Sequence, residues 1–145
     1  MKPSSWIYLI TSAFLIISLV TVSYPLYLFI QDAKEGKFDV SITELKIVKW
    51  KDEYRLNFTL VGFNNARVAV KNIVVNFTYV YVTQNSTFSK NVSVNLGDLE
   101  PGSSKELPLS IAIRGIPTSL TIRLELSMNV AGYLPFKMSF EKEII

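Results

Sequence analysis

The sequence predicts an all-β antiparallel sandwich of seven or eight strands, preceded by one transmembrane α-helix. Three observations carry this. No charged side chain occurs from Pro3 to Gln31. From residue 38 onward, Val, Ile, Leu, Phe and Tyr alternate with polar residues at period two. No segment has helical periodicity long enough for a βαβ crossover. Each one-sided sheet must therefore bury its apolar face against another sheet.

Residues 1–31 read as a signal anchor. The apolar run from Trp6 to Ile30 exceeds the roughly 20 residues needed to cross a bilayer as a helix. Its polar groups are Thr11, Ser12, Ser18, Thr21 and Ser23, short hydroxyls able to bond carbonyls of the preceding turn. Pro25 predicts a kink or a loosened last turn. Trp6 and Tyr8 lie near one end and Tyr24 and Tyr27 near the other, the interfacial placement that amphipathic rings prefer. A competing reading is a cleaved signal peptide with its apolar core at residues 6–20 and Ser23 before the cut. The run continues through Tyr24–Ile30, which favours retention. Lys2 and the terminal amine precede the span, while Asp32, Lys34, Glu35 and Lys37 after it cancel. The positive-inside bias then places the N-terminus in the cytoplasm of a single-pass cell-membrane protein. Residues 32–38 read as a short linker and 39–145 as an extracytoplasmic sandwich.

The strands follow in order. Phe38–Trp50 puts Val40 and Ile42 on one face, then shifts phase to Leu45 and Ile47, which predicts a bulge or bend near Glu44. Tyr54–Phe63 aligns Tyr54, Leu56, Phe58 and Leu60. Arg67–Lys71 reads as a short strand. Asn72–Thr83 aligns Ile73, Val75, Phe77, Tyr79 and Tyr81, and its second face carries Val74, Val80 and Val82, so it is expected at the centre of a sheet. Thr87–Leu96, Glu106–Ile113, Ser119–Val130 and Leu134–Glu143 complete the set. Pro108 cannot donate to a ladder and belongs on an edge or at a bulge. The turn around Asp98–Ser103 contains Pro101 and Gly102, which favour reversal.

The chain has no Cys and no His. Disulfides, Cys/His zinc sites, thiol nucleophiles and histidine triads are excluded. The net charge of +3 is spread without a basic stripe, so nothing points to nucleic acid. No glycine-rich phosphate loop and no placed pair of carboxylates appear. Asp52–Glu53 and Asp98/Glu100 fall in expected turns, where exposed polar turns outweigh a Ca²⁺ site. No catalytic, metal or cofactor residues are assigned.

Four N-x-S/T acceptors occur, at Asn57, Asn76, Asn85 and Asn91. Chance and strand alternation account for about one or two such matches. Each Asn lies opposite an apolar face or in a turn, so all four are expected to face solvent, as N-glycosylation requires.

Parts of the chain resemble the LEA14/WHy (water stress and hypersensitive response) β-sandwich. The likeness runs through Leu56–Asn65, the strand Val70–Tyr81 and the section Leu124–Phe136. Phe63-Asn64-Asn65 occupies the family's Asn-Pro-Asn turn, without its proline. Leu99-Glu100-Pro101-Gly102-Ser103 is similar to turns of CARDB-like and immunoglobulin-like modules. The resemblance implies an immunoglobulin-like or LEA14-like sandwich and a non-enzymatic role. The Ile/Val/Lys/Tyr-rich, cysteine-free composition also resembles that of archaeal proteins.

The resulting expectation is a non-catalytic, membrane-anchored accessory or structural subunit of a membrane or cell-envelope complex. Its partners would be the lipid bilayer and neighbouring protein subunits. Loop positions Asn64-Asn65, Glu100–Gly102 and Gly115–Pro117 are available for such contacts. One alternative is a pilus, filament or surface-layer-associated subunit assembling by strand exchange, with Lys34–Val40 donated. A second alternative is a ligand-binding module.

Overall fold

A computed structural model describes residues 2–144. One helix, α1 (Pro3–Lys34), is followed by seven strands: β1 (Phe38–Trp50), β2 (Glu53–Asn64), β3 (Val70–Val82), β4 (Thr87–Leu99), β5 (Ser103–Ile113), β6 (Ser119–Val130) and β7 (Leu134–Glu143). They form two antiparallel sheets, ordered β1-β2-β5 and β4-β3-β6-β7. The sandwich expected from the alternation is therefore present with seven strands.

Most of α1 is solvent-exposed, because no part of the sandwich surrounds it. It is apolar and long enough to cross a membrane, which supports single-pass membrane placement. Thr21 and Ser23 donate their hydroxyls to the carbonyls of Ile17 and Leu19, so these side chains need no water. The helix runs through Pro25 and closes at its far end with two reverse bonds, Gly36 N–H to Ala33 and Lys37 N–H to Asp32. Gly36, at φ +75°, takes the left-handed residue this closure requires. The linker expected over 32–38 is thus mostly helix and strand, with only Glu35, Gly36 and Lys37 between.

β3 lies between β4 and β6, as its two-sided apolar pattern demands. Its inward residues Val75, Phe77, Tyr79 and Tyr81 are buried against Leu56, Phe58 and Leu60 of β2 and the alternating residues of β6. Phe58 and Phe77 meet edge to face across the sheets at 5.5 Å. The bulge occurs between Thr43 and Lys46, with Glu44 at φ +55°. Pro108 sits on β5, an edge strand. Gly62 marks a close approach between sheets: a Cβ there would come within 2.7 Å of the Leu96 Cδ2.

One strand assignment is corrected. Residues 65–69 form a loop, and only Val70–Lys71 of the expected Arg67–Lys71 strand pair, as the start of β3. The Ala66 and Arg67 N–H groups are taken by side chains instead of a ladder.

Candidate functional site at the helix–sandwich junction

The last turns of α1 are set into the base of the sandwich. Phe29 is fully buried. Its ring packs edge-on against Phe38 of β1 at 5.1 Å and Phe136 of β7 at 5.6 Å. Leu26 and Ala33 flank it. The same face of the helix, one turn on, carries Asp32.

Asp32 is buried, and its carboxylate is filled by donors from the loop after β2. The Arg67 backbone N–H donates to Oδ2 at 2.9 Å and Arg67 Nε donates to the same oxygen at 3.1 Å. Arg67 Nη2 donates to Oδ1 at 3.0 Å. Lys37 Nζ stands 3.6 Å from Oδ1. The guanidinium and ammonium remain about half exposed, so the cations keep water while the anion is covered by its donors. Bidentate guanidinium–carboxylate geometry fixes orientation as well as distance. The Asp32 carboxylate raises the Arg67 pKa through this hydrogen bonding. Glu35, 2.8 Å from Lys37 Nζ, raises the Lys37 pKa, with Asp32 adding to it.

Asn64 holds that loop in place. Its Nδ2 donates to the carbonyls of Val68 at 3.0 Å and Leu99 at 2.9 Å, and its Oδ1 accepts the Ala66 N–H at 3.0 Å. The Asn64 backbone carbonyl also accepts from Gly102 N–H. Asn64 is completely buried, which corrects its placement as a contact residue of an exposed loop. A primary amide with both ends in use fits a site where three backbone groups have lost their ladder. Asn65 beside it is exposed, as are Glu100–Gly102. Of Gly115–Pro117, Ile116 is exposed and Pro117 is buried.

A third contact lies nearer the N-terminus of α1. Tyr133, in the turn between β6 and β7, donates its hydroxyl to the Val22 carbonyl at 3.1 Å. Pro25 has no N–H to give to Thr21, so the helix ladder is interrupted beside this carbonyl.

Away from the junction, the edges of β1 and β7 leave a cleft of about 490 Å³, lined by apolar Val40, Ile42, Ile122 and Phe140 and by the charged Glu141, Lys142 and Glu143. It exists because three strands cover four. Among the described residues, no cluster of three or more Asp or Glu side chains gathers that could hold a metal ion. Asp98 Oδ1 accepts the Asn72 N–H at 2.9 Å. Asp52 lies in the distant β1–β2 turn.

The four acceptor Asn residues occupy different settings. Asn85 is exposed in the β3–β4 turn and Asn91 is exposed on edge strand β4. Asn57 and Asn76 are half-buried on the outer faces of the central strands β2 and β3. Asn57 Oδ1 accepts from Ser110 Oγ at 2.7 Å. The Asn76 and Asn91 acceptors face each other across the ladder, with Asn76 paired to Ser93 and Thr78 to Asn91.

No protein-family model matches the chain, and no curated protein matches it in sequence. Solved structures do share the fold. The ApaA-designated protein of Bordetella pertussis is 14% identical with a TM-score of 0.56, covering 74% of this chain and 93% of its own. A second structure, a structural-genomics target, is 10% identical with a TM-score of 0.55, covering 73% of this chain and 86% of its own. A late embryogenesis abundant protein is 13% identical over 92% of this chain and 84% of its own, but its TM-score of 0.36 is too low to carry an argument. At these identities the likeness establishes a small β-sandwich and nothing about activity.

Proposed function

We propose that this chain is a non-catalytic accessory or structural subunit of a membrane or cell-envelope complex, with an extracytoplasmic sandwich that acts by docking to neighbouring proteins. The supporting observation is the junction. A tethered binding domain needs a flexible leash, whereas here Phe29 and Asp32 join the helix to the sandwich with three residues between α1 and β1. The arrangement fixes the height and orientation of the sandwich, as contact with a neighbour in the same membrane requires. Strand donation is less well supported: Phe38, Asp39 and Val40 are already paired with Asn64, Phe63 and Gly62 of the same chain.

The test is native mass measurement after mild detergent extraction of the full chain from its own membrane. A complex containing other chains at fixed stoichiometry is expected. A flexible Gly/Ser insert between Glu35 and Gly36 should lower its recovery several-fold. A clean monomer from the unaltered chain would overturn the reading.

An extracytoplasmic sandwich would also present its acceptor sites to glycosylation. We expect glycan at Asn85 and Asn91, where the amide is exposed at a turn or edge. Little is expected at Asn57, whose amide oxygen is bonded in mid-sheet, and at Asn76, which is crowded by the facing acceptor. Peptide mass spectrometry of native material reads this directly; unmodified Asn85 and Asn91 would count against it.

A further inference from the structure

We infer that the β6–β7 turn, Ala131–Gly132–Tyr133, is seated in the headgroup layer of the bilayer and makes the base of the sandwich a lipid-contact surface. The inference rests on the membrane-anchor reading and adds a depth to it.

Helix length sets the depth. At a rise of 1.5 Å per residue, the helix from Pro3 to Val22 is about 30 Å long. That equals the hydrocarbon thickness of a typical bilayer, about 30 Å. The sandwich claims the rest of the helix. Its contacts begin at Val22, through Tyr133, and continue through Phe29 to Asp32. The stretch from Val22 to Asp32 is about 15 Å long by the same rise. An apolar span that starts near Pro3 is therefore used up where Tyr133 touches the helix. Starting the span at Trp6 instead moves the boundary only about 5 Å further along, by the same rise, and Tyr133 then sits slightly deeper.

The residues of the turn suit that depth. Tyr133 is half exposed although it is large and apolar over its ring, and its hydroxyl is satisfied by the Val22 carbonyl rather than by water alone. Tyr24 and Tyr27 stack with centroids 6.4 Å apart on the same stretch of helix and are also exposed. Three tyrosines within about 8 Å along the helix axis form the kind of aromatic belt found at membrane–water boundaries. The Lys71 side chain passes alongside Gly132, so an ammonium borders the turn, as phosphate-bearing headgroups favour. At the other end of β1, Trp50, Lys51 and Asp52 lie about 40 Å away by strand length, well clear of lipid.

The chain has no Cys, so a single introduced thiol can be spin-labelled cleanly. The full chain carrying Tyr133→Cys, Lys71→Cys or Asp52→Cys is reconstituted into phosphatidylcholine/phosphatidylglycerol vesicles. Depth is read by electron paramagnetic resonance power saturation with oxygen and a nickel chelate. Labels at 133 and 71 should be shielded from the nickel chelate and lie at headgroup depth, with 52 fully accessible. Lys71→Cys leaves the Tyr133 hydrogen bond to Val22 in place and protects the test against its loss. Labels at 133 and 71 as accessible as 52, in protein that still floats with the vesicles, would overturn the inference and leave the anchor reading standing. Protein that does not float would overturn both.

Discussion

Asn64→Asp is expected to destabilise the sandwich by about 4 kcal/mol or more, although it changes one NH₂ to oxygen. Asn64 Nδ2 gives its two hydrogens to the Val68 and Leu99 carbonyls. A carboxylate offers neither, and it would set a fully buried anion against two carbonyl oxygens. Each buried group left unpaired costs about 1–3 kcal/mol, and a charged one more. Against a total stability of about 5–15 kcal/mol, that loss is large. Asn64→Ala should cost about 3 kcal/mol, because it removes all three side-chain bonds without burying a charge. Asn65→Asp, one residue on and exposed, should change stability by no more than about 0.5 kcal/mol. Denaturant unfolding of the three variants checks the ordering. Equal, small losses at positions 64 and 65 would refute the structural role given to Asn64.

Phe29→Ala is the second large effect. The ring is buried between Phe38 and Phe136, and its removal leaves a cavity at the junction, with an expected cost of about 3–5 kcal/mol. The penalty should fall on the coupling of helix and sandwich more than on the sheets, because the ring contacts of Phe29 are with Phe38 and Phe136 at the base of the sandwich. Phe29→Leu, which fills most of the space, should recover over half of the loss. Unfolding monitored by Tyr and Trp fluorescence, compared with hydrogen exchange at residues 29–34, separates the two sites of damage. Unchanged protection of residues 29–34 in Phe29→Ala would contradict this account.

Much of the sandwich was legible from residue order. Period-two alternation found the strands, and the change of phase between Ile42 and Leu45 found the bulge, because a strand's side-chain period is fixed at two. The two-sided apolar pattern of Asn72–Thr83 found a central strand. Pro108 found an edge because it lacks an N–H. These are local signals, each read within a few residues.

The junction was not legible, for a physical reason. Asp32 and Arg67 are 35 residues apart, and neither has a neighbour that marks it for burial. As sequence, Asp32 counts only as one of four charges that cancel after the span. Phe29 is similarly hidden: in an apolar run, a residue facing lipid and a residue facing protein are the same letter. Asn64 looked like an exposed turn residue because Asn favours turns; the carbonyl of Leu99, which explains its burial, lies on another strand. The short strand expected at Arg67–Lys71 failed for the same cause, since the Arg67 N–H is claimed by Asp32 and the Val68 carbonyl by Asn64.

The central claim is that the sandwich is fixed on the end of its helix and does not hang from it. The most direct measurement is the distance distribution between spin labels at Tyr27→Cys and Asp52→Cys, taken by double electron–electron resonance on the full chain in bilayers. Both positions are exposed, one on the helix and the other in the β1–β2 turn at the far end of the sandwich. A single narrow distance is expected, broadening when Asp32→Ala removes the anchor of Arg67. A broad distribution in the chain with Asp32 intact would show a flexible tether and contradict the account.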